Sequence, residues 1–242
     1  MVKMMIVGGR PSGMTSAQQR HYMQHIHGKM VVDFIGAHPE LAPARYVQNH
    51  VFDGSFRATP AVAGDPFAIS RDFITQVWFN SQEHAGAAMT ASFYRERLQP
   101  DEENFVDQPN VVKLPVVEVE VFGADVPTGC IKLFVFHQIA PGISNDAGLE
   151  STRRLWAPLL EDGANGIERL VRNSVLNRPG QKPTVDLIDE VWLGCDEAAH
   201  KLGSKWQQAA TADSTLKSVL ATGGGFVLLA HEKVMFAGDR SD

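Results

Sequence analysis

The chain is poor in cysteine: Cys130 and Cys195 are the only two in 242 residues. No disulfide framework and no cysteine-based zinc site can be built from that pair, and a reducing compartment fits it. An excess of positive charge is also missing. The formal net charge is −6, with 22 basic and 28 acidic residues interspersed. Without a basic footprint for a phosphate backbone, no nucleic-acid partner is expected. Long apolar runs are absent. No stretch approaches the roughly 20 apolar residues of a membrane span, and the opening MVKMMIVGG is too short for a signal-peptide core. The protein is therefore expected to be soluble and cytoplasmic, with no membrane partner. Two catalytic signatures are missing as well. Gly223-Gly224-Gly225 precedes a strand pattern rather than a helix, so it is no phosphate loop. There is no Gly-x-Ser-x-Gly nucleophile elbow.

What is present is an ordinary globular composition, 44% hydrophobic and 21% charged, enough for a packed core. The length suits two units of about 100–120 residues. An internal repeat divides it. VKMMIVGGRPSGMTSAQQ from Val2 matches IKLFVFHQIAPGISNDAG from Ile131, with Lys3 on Lys132 (132 − 3 = 129). RYVQNHV at Arg45–Val51 matches RLVRNSV at Arg169–Val175 (169 − 45 = 124). RDFITQVWF at Arg71–Phe79 matches VDLIDEVWL at Val185–Leu193 (191 − 77 = 114), and VEVEVF at Val117–Phe122 matches HEKVMF at His231–Phe236 at the same offset. The offset only falls, as shorter loops in the second copy would make it. The Gly/Pro-containing stretch Phe122–Gly129 is the expected linker. The predicted domains are residues 1–123 and 129–238.

Each copy reads as strand, helix, strand, strand, helix, strand. In the first copy the elements are predicted at Lys3–Gly8, about Ser16–Ala37, Arg45–Phe52, Phe73–Phe79, about Ser81–Leu98 and Val111–Phe122. In the second they are Cys130–His137, Leu149–Asn165, Ile167–Leu176, Leu187–Leu193, Asp196–Ser218 and Gly225–Phe236. This is the ferredoxin-like βαββαβ order. A sheet with helices on one face must bury the other. The predicted fold is therefore α+β: two ferredoxin-like repeats whose antiparallel sheets pair into an α+β barrel, with a pocket between sheet and helices.

Four segments carry a family resemblance: YMQHIHGKMV from Tyr22, RYVQNHV from Arg45, VWFNS from Val77 and PDEENFVD from Pro100. Through them the first copy resembles the EthD family of the dimeric α+β barrel superfamily. The second copy resembles a degenerate EthD unit, with Trp156-Ala157-Pro158-Leu159 where the first has His27-Gly28-Lys29-Met30. The resemblance implies the barrel fold and, at His27, the family's usual histidine. It sets the reaction loosely, since related barrels include dehydratases, cyclases, isomerases, cofactor-free monooxygenases and haem enzymes.

Several residues are candidates for chemistry. An imidazole exchanges protons near neutral pH, so His27 and His50 are the candidate acid–base groups; the alternative for each is structural. Strand alternation puts Tyr46, Gln48 and His50 on one face, where Tyr46 could steady an oxyanion and Gln48 orient a substrate. Met23, Trp78 and Tyr94 are candidate substrate contacts, although Trp78, matched by Trp192, reads first as core and only second as pocket wall. His21 and His25 are four apart on one helix face, yet no acidic ligand lies near, and no metal is expected. PDEENF reads as an acidic, solvated loop. The expected function is a cofactor-independent enzyme doing proton-transfer chemistry (dehydration, cyclisation or isomerisation) on a small cyclic or aromatic-type substrate. The rivals are a cofactor-free or haem-dependent oxygenase of quinol-type substrates and a ligand-binding barrel. A small-molecule substrate is the expected partner, with a homodimer open.

Overall fold

A computed structural model describes residues 1–58, 63, 71–123, 126, 130–176 and 184–238. Most of the linker read at 122–129 lies outside them. Among the described residues there are eight strands: β1 (Val2–Gly8), β2 (Arg45–Asp53), β3 (Phe73–Phe79), β4 (Val112–Gly123), β5 (Ile131–Ile139), β6 (Ile167–Val175), β7 (Leu187–Leu193) and β8 (Leu220–Ala237). They form a closed barrel in the order β1-β3-β2-β8-β5-β7-β6-β4. The fold is thus the α+β barrel expected from the sequence.

Two compact units make up the chain. The first comprises Met1–His50, Ile69–Val116 and Lys233–Asp242, and the second Val51–Ala68 and Val117–Glu232. In the first, β1 pairs antiparallel with β3 and β4, and β3 with β2. In the second, β5 pairs antiparallel with β7 and β8, and β7 with β6. The pairing pattern is the same in both, and so are its fastenings. Asp72 accepts a hydrogen bond from the Arg10 backbone N–H at 2.9 Å, and Asp186 from that of Ile139 at 2.6 Å. Asn49 bonds the Ile74 carbonyl and Gln76 (2.9 and 3.1 Å), as Asn173 bonds Ile188 and Glu190 (3.1 and 2.9 Å). Trp78 is flanked by Lys3 and Arg45, 4.7 and 5.3 Å from its ring centre, and Trp192 by Lys132 and Arg169, 4.5 and 5.0 Å away. Cations over an indole face are held by the ring quadrupole.

The helices of the first unit are irregular. The first helix starts on a capping box: Thr15 Oγ1 accepts from the Gln18 N–H at 3.2 Å while Gln18 Oε1 accepts from the Thr15 N–H at 2.9 Å. It runs as α-helix through Ser16–His21, widens to a π turn over Tyr22–His27, and returns to α-helix through Gly28–Ala37. It ends just before Pro39, whose ring disfavours helix at the preceding residue. The second helix, predicted over about 81–98, instead runs Gln82–Thr90 and breaks at Ala91, where ψ is 143°. It resumes with a second π turn, Tyr94–Leu98, followed by Gln99–Asp101. The helices of the second unit, Asn145–Glu161 and Asp196–Ala212, are regular. Asp213 separates the latter from a short helix, Ser214–Val219, where one long helix was predicted.

The second unit is solidly filled. Trp156, Trp206, Leu133, Leu155, Leu170, Val191 and Leu202 belong to one buried cluster. Asp189 lies fully buried beside it. It accepts from Trp156 Nε1 at 2.7 Å, from Arg172 Nε at 2.7 Å, and faces His137 Nε2 at 3.1 Å. Burial alone would raise its pKa, but His137 and Arg172 prevail and hold it at about 2.

Candidate functional site

Where the second unit is filled, the first keeps a cavity of about 150 Å³ between the helix-covered face of its sheet and the helices. The sheet contributes Met4, Ile6, Tyr46, Phe73, Thr75, Val77 and Phe79, and the helices contribute Met23, His27, Val31, Phe34 and Tyr94. Alternation explains the choice: Phe73, Thr75, Val77 and Phe79 share one face of β3, so Trp78 turns to the other. The ring of Phe73 is wedged against Gly8, where an added Cβ would come within 2.8 Å of it. Phe105 is stacked on Tyr22 and tilted against His27, with ring centres 5.4 and 4.8 Å away.

His27 Nδ1 lies 2.9 Å from Asp101 Oδ2. Asp101 Oδ1 accepts from Tyr22 Oη at 2.7 Å and Asn104 Nδ2 at 3.2 Å. Burial pushes the Asp101 carboxyl upward, but the bonds from Tyr22, His27 and Asn104 hold it below its ordinary value. An ionised carboxylate can only accept, so Nδ1 carries a proton, and in the neutral ring Nε2 then presents a lone pair. This is the arrangement of an oriented general base.

Tyr46 is buried in the cavity wall. Its oxygen accepts from Gln48 Nε2 at 2.6 Å, and the same nitrogen donates to the Met23 carbonyl at 2.7 Å. The Met23 carbonyl accepts only, which fixes which end of the amide faces it. The hydroxyl proton of Tyr46 is thereby directed away from Gln48. Burial, partly offset by the Gln48 bond and joined by the charge of Glu102, lifts its pKa to about 12, so it stays a donor at neutral pH. Tyr94 donates to Glu102 Oε1 at 3.3 Å, and its pKa is raised by burial and by that carboxylate.

The π turn serves this arrangement. The Gly28 N–H reaches back to the Met23 carbonyl, the same acceptor that Gln48 uses. A Cβ on Gly28 would lie 2.8 Å from that oxygen and 2.9 Å from Gln48 Nε2. The glycine after His27 thus permits the close approach that holds Tyr46.

Of the residues singled out from the sequence, His27, Tyr46, Met23 and Tyr94 line the cavity, and Gln48 stands behind Tyr46. His50 and Trp78 are buried but do not line it. Asp101 was not singled out; PDEENF looks like a solvated loop, yet the Asp101 side chain is only 12% exposed. The signal available was its place in one of the four segments that carry the resemblance. His21 and His25 lie on the exposed helix surface with ring centres 5.0 Å apart. Among the described residues no group of three or more His, Cys, Asp or Glu side chains could hold a metal. None of the described helices is long and apolar enough to cross a membrane.

The barrel and its walled cavity define an α+β barrel protein with a ligand-sized site in its first unit. Solved structures agree on the fold. An anthrone oxidase-like protein superposes with a TM-score of 0.59 at 10% identity, covering 100% of this chain and 96% of its own. A proposed monooxygenase from Lactobacillus acidophilus gives 0.52 at 9% identity, with coverage of 98% and 96%. A chlorite dismutase variant from Candidatus Nitrospira defluvii gives 0.51 at 9%, with coverage of 97% and 92%. Identities this low speak for the fold alone. No curated protein matches by sequence. Residues 11–109 match the EthD domain model. That span includes His27, Tyr46, Asp101 and most of the cavity wall.

Proposed function

We propose that the protein is an enzyme that moves a proton on a small cyclic or aromatic-type substrate, using its own side chains. The observation that carries this reading is the 2.9 Å His27–Asp101 pair in the wall of an apolar cavity. His27 Nε2 takes a proton from an acidic C–H or O–H. Asp101 holds the ring's tautomer and steadies the imidazolium that forms. Tyr46 donates a hydrogen bond to the oxygen on which negative charge develops, in a water-poor site where such a bond is strong. Dehydration, cyclisation or isomerisation follows according to the substrate. The reading carries with it a cytoplasmic location and a small-molecule substrate.

The names borne by the structural neighbours favour a second reading that begins with the same step. An enolate or phenolate formed at His27 is electron-rich, and dioxygen could be its oxidant. A four-ring macrocycle such as haem does not fit a cavity of about 150 Å³, and the matching space of the second unit is taken by Trp156 and Trp206. No step is therefore routed through such a group.

The test is solvent deuterium exchange, followed by NMR, on cyclic enols, lactones and hydroquinones, with dioxygen uptake measured in parallel. His27→Asn and Asp101→Asn should each lower exchange by about 10²–10⁴-fold with the fold intact by circular dichroism. Exchange that persists in folded His27→Asn refutes the assignment. Dioxygen consumption with the same dependence on His27 selects the second reading.

A further inference from the structure

The size and wiring of the cavity narrow the substrate further, if the proposed site is the one used. We propose that it accepts a molecule with a single six-membered ring carrying one oxygen function, a phenol or a cyclic enol, and rejects fused polycycles.

Size is the first argument. An apolar cavity of about 150 Å³ is the size that holds one benzene ring, and this one measures about 150 Å³. Its walls have little room to retreat at the polar end. Phe73 is backed by Gly8 and Val111, with no space for even a methyl group between. Phe105 is held between Tyr22 and His27. Close-packed walls of this kind do not yield to a second fused ring without breaking contacts elsewhere.

Wiring is the second argument. Among the polar side chains lining the cavity, Tyr94 and Glu102 are bonded to each other, and Gln108 donates to the second oxygen of Glu102 at 3.2 Å. Lys113 is exposed. That leaves His27 Nε2, the Tyr46 hydroxyl proton and the Thr75 hydroxyl to meet a ligand in the interior, with Lys113 at the exposed side. One acceptor and a phenolic donor suit one ionisable oxygen function. The remaining lining side chains are apolar, Met4, Ile6, Val31, Phe34, Val77 and Phe79 among them, and offer nothing to a second polar group. The chemistry recognised is that of a neutral ring with a single hydroxyl or its keto tautomer.

Isothermal titration calorimetry on the intact protein tests this with phenol, 2-naphthol and anthrone as probes. Phenol should bind at least tenfold more tightly than 2-naphthol and anthrone. The order should persist in His27→Asn, because size and not the base sets it. Val77→Phe, which fills the cavity from β3, should abolish phenol binding while the protein still melts cooperatively. Anthrone or 2-naphthol binding as tightly as phenol overturns the proposal, as does phenol binding that survives Val77→Phe, or no binding by any probe. Binding in the expected order without deuterium exchange would leave this inference standing and remove the proton-transfer reading. Exchange dependent on His27 with a three-ring ligand would do the reverse.

Discussion

Replacing Gly28 and Gly36 by alanine, one at a time, separates two roles of glycine on a single helix. Both lie in Gly28–Ala37. Alanine is favoured over glycine in a helix by about 1 kcal/mol, so propensity alone predicts that both changes stabilise. At Gly36 nothing lies within 4 Å of the added Cβ. Gly36→Ala should therefore raise stability by about 0.5–1 kcal/mol. At Gly28 the Cβ meets the Met23 carbonyl oxygen at 2.8 Å, the Met235 methyl at 2.8 Å and Gln48 Nε2 at 2.9 Å. Met235 is flexible and can move. The carbonyl is backbone, so Gln48 must swing away and give up both its bonds, 2.6 Å to Tyr46 and 2.7 Å to Met23. Each buried polar group left unpaired costs about 1–3 kcal/mol. Two such losses outweigh the propensity gain, and Gly28→Ala should be net destabilising by about 1–5 kcal/mol. Urea titration at neutral pH reads both changes, and a melt should move by about 2–4 °C for each kcal/mol. Tyr46 would also lose its anchor, so deuterium exchange should fall in Gly28→Ala and stay unchanged in Gly36→Ala. A Gly28→Ala protein as stable as wild type would refute the claim that this glycine makes room for Gln48.

Three further outcomes are expected. Asp189, at about 2 in the fold against an ordinary 3.8, contributes about 2.5 kcal/mol that is present above pH 4 and lost as pH falls toward 2. Urea titrations at pH 7 and pH 3 should show about 1 kcal/mol of that loss, and Asp189→Asn should be less stable at pH 7 with a shallower acid decline. Trp156→Ala should cost about 3–5 kcal/mol of stability, since Trp156 is 1% exposed and anchored to Asp189; a change below about 1 kcal/mol would contradict its place in the core. Tyr22→Phe removes one of the bonds to Asp101 while His27 and Asn104 keep theirs, so exchange should fall by no more than about tenfold, far less than in His27→Asn.

The fold was legible because strand alternation and repeat order survive in the residues. The Arg10–Asp72 and Ile139–Asp186 fastenings lie at offsets 139 − 10 = 129 and 186 − 72 = 114, the same values that align the strands around them. Helix interruptions were less legible. Nothing in the composition near Ala91 marks a break, and Met23, Ile26 and Met30 keep helical spacing across the π turn although Ile26 is exposed. The site was legible only in part. Alternation puts Tyr46, Gln48 and His50 on one face, but it does not tell that Gln48 is drawn to the Met23 carbonyl or that the cavity stops short of His50. Asp101 was hidden because a run of acidic residues has the composition of a solvated loop, whatever one member of it reaches. Its partnership with His27 spans 74 positions, and spacing cannot encode such a distance.

The π turn at Tyr22–His27 has one more consequence. Such a turn holds one residue more than the α-helix around it. Deleting any single residue between 22 and 27 would let the helix close up as ordinary α-helix with its backbone bonds intact. The parts on either side would keep their relative bearing, because the π turn already absorbs the extra residue. Such a deletion should leave the capping box at Thr15 and the Gly28–Ala37 stretch where they are, and change only what the turn itself presents to the cavity.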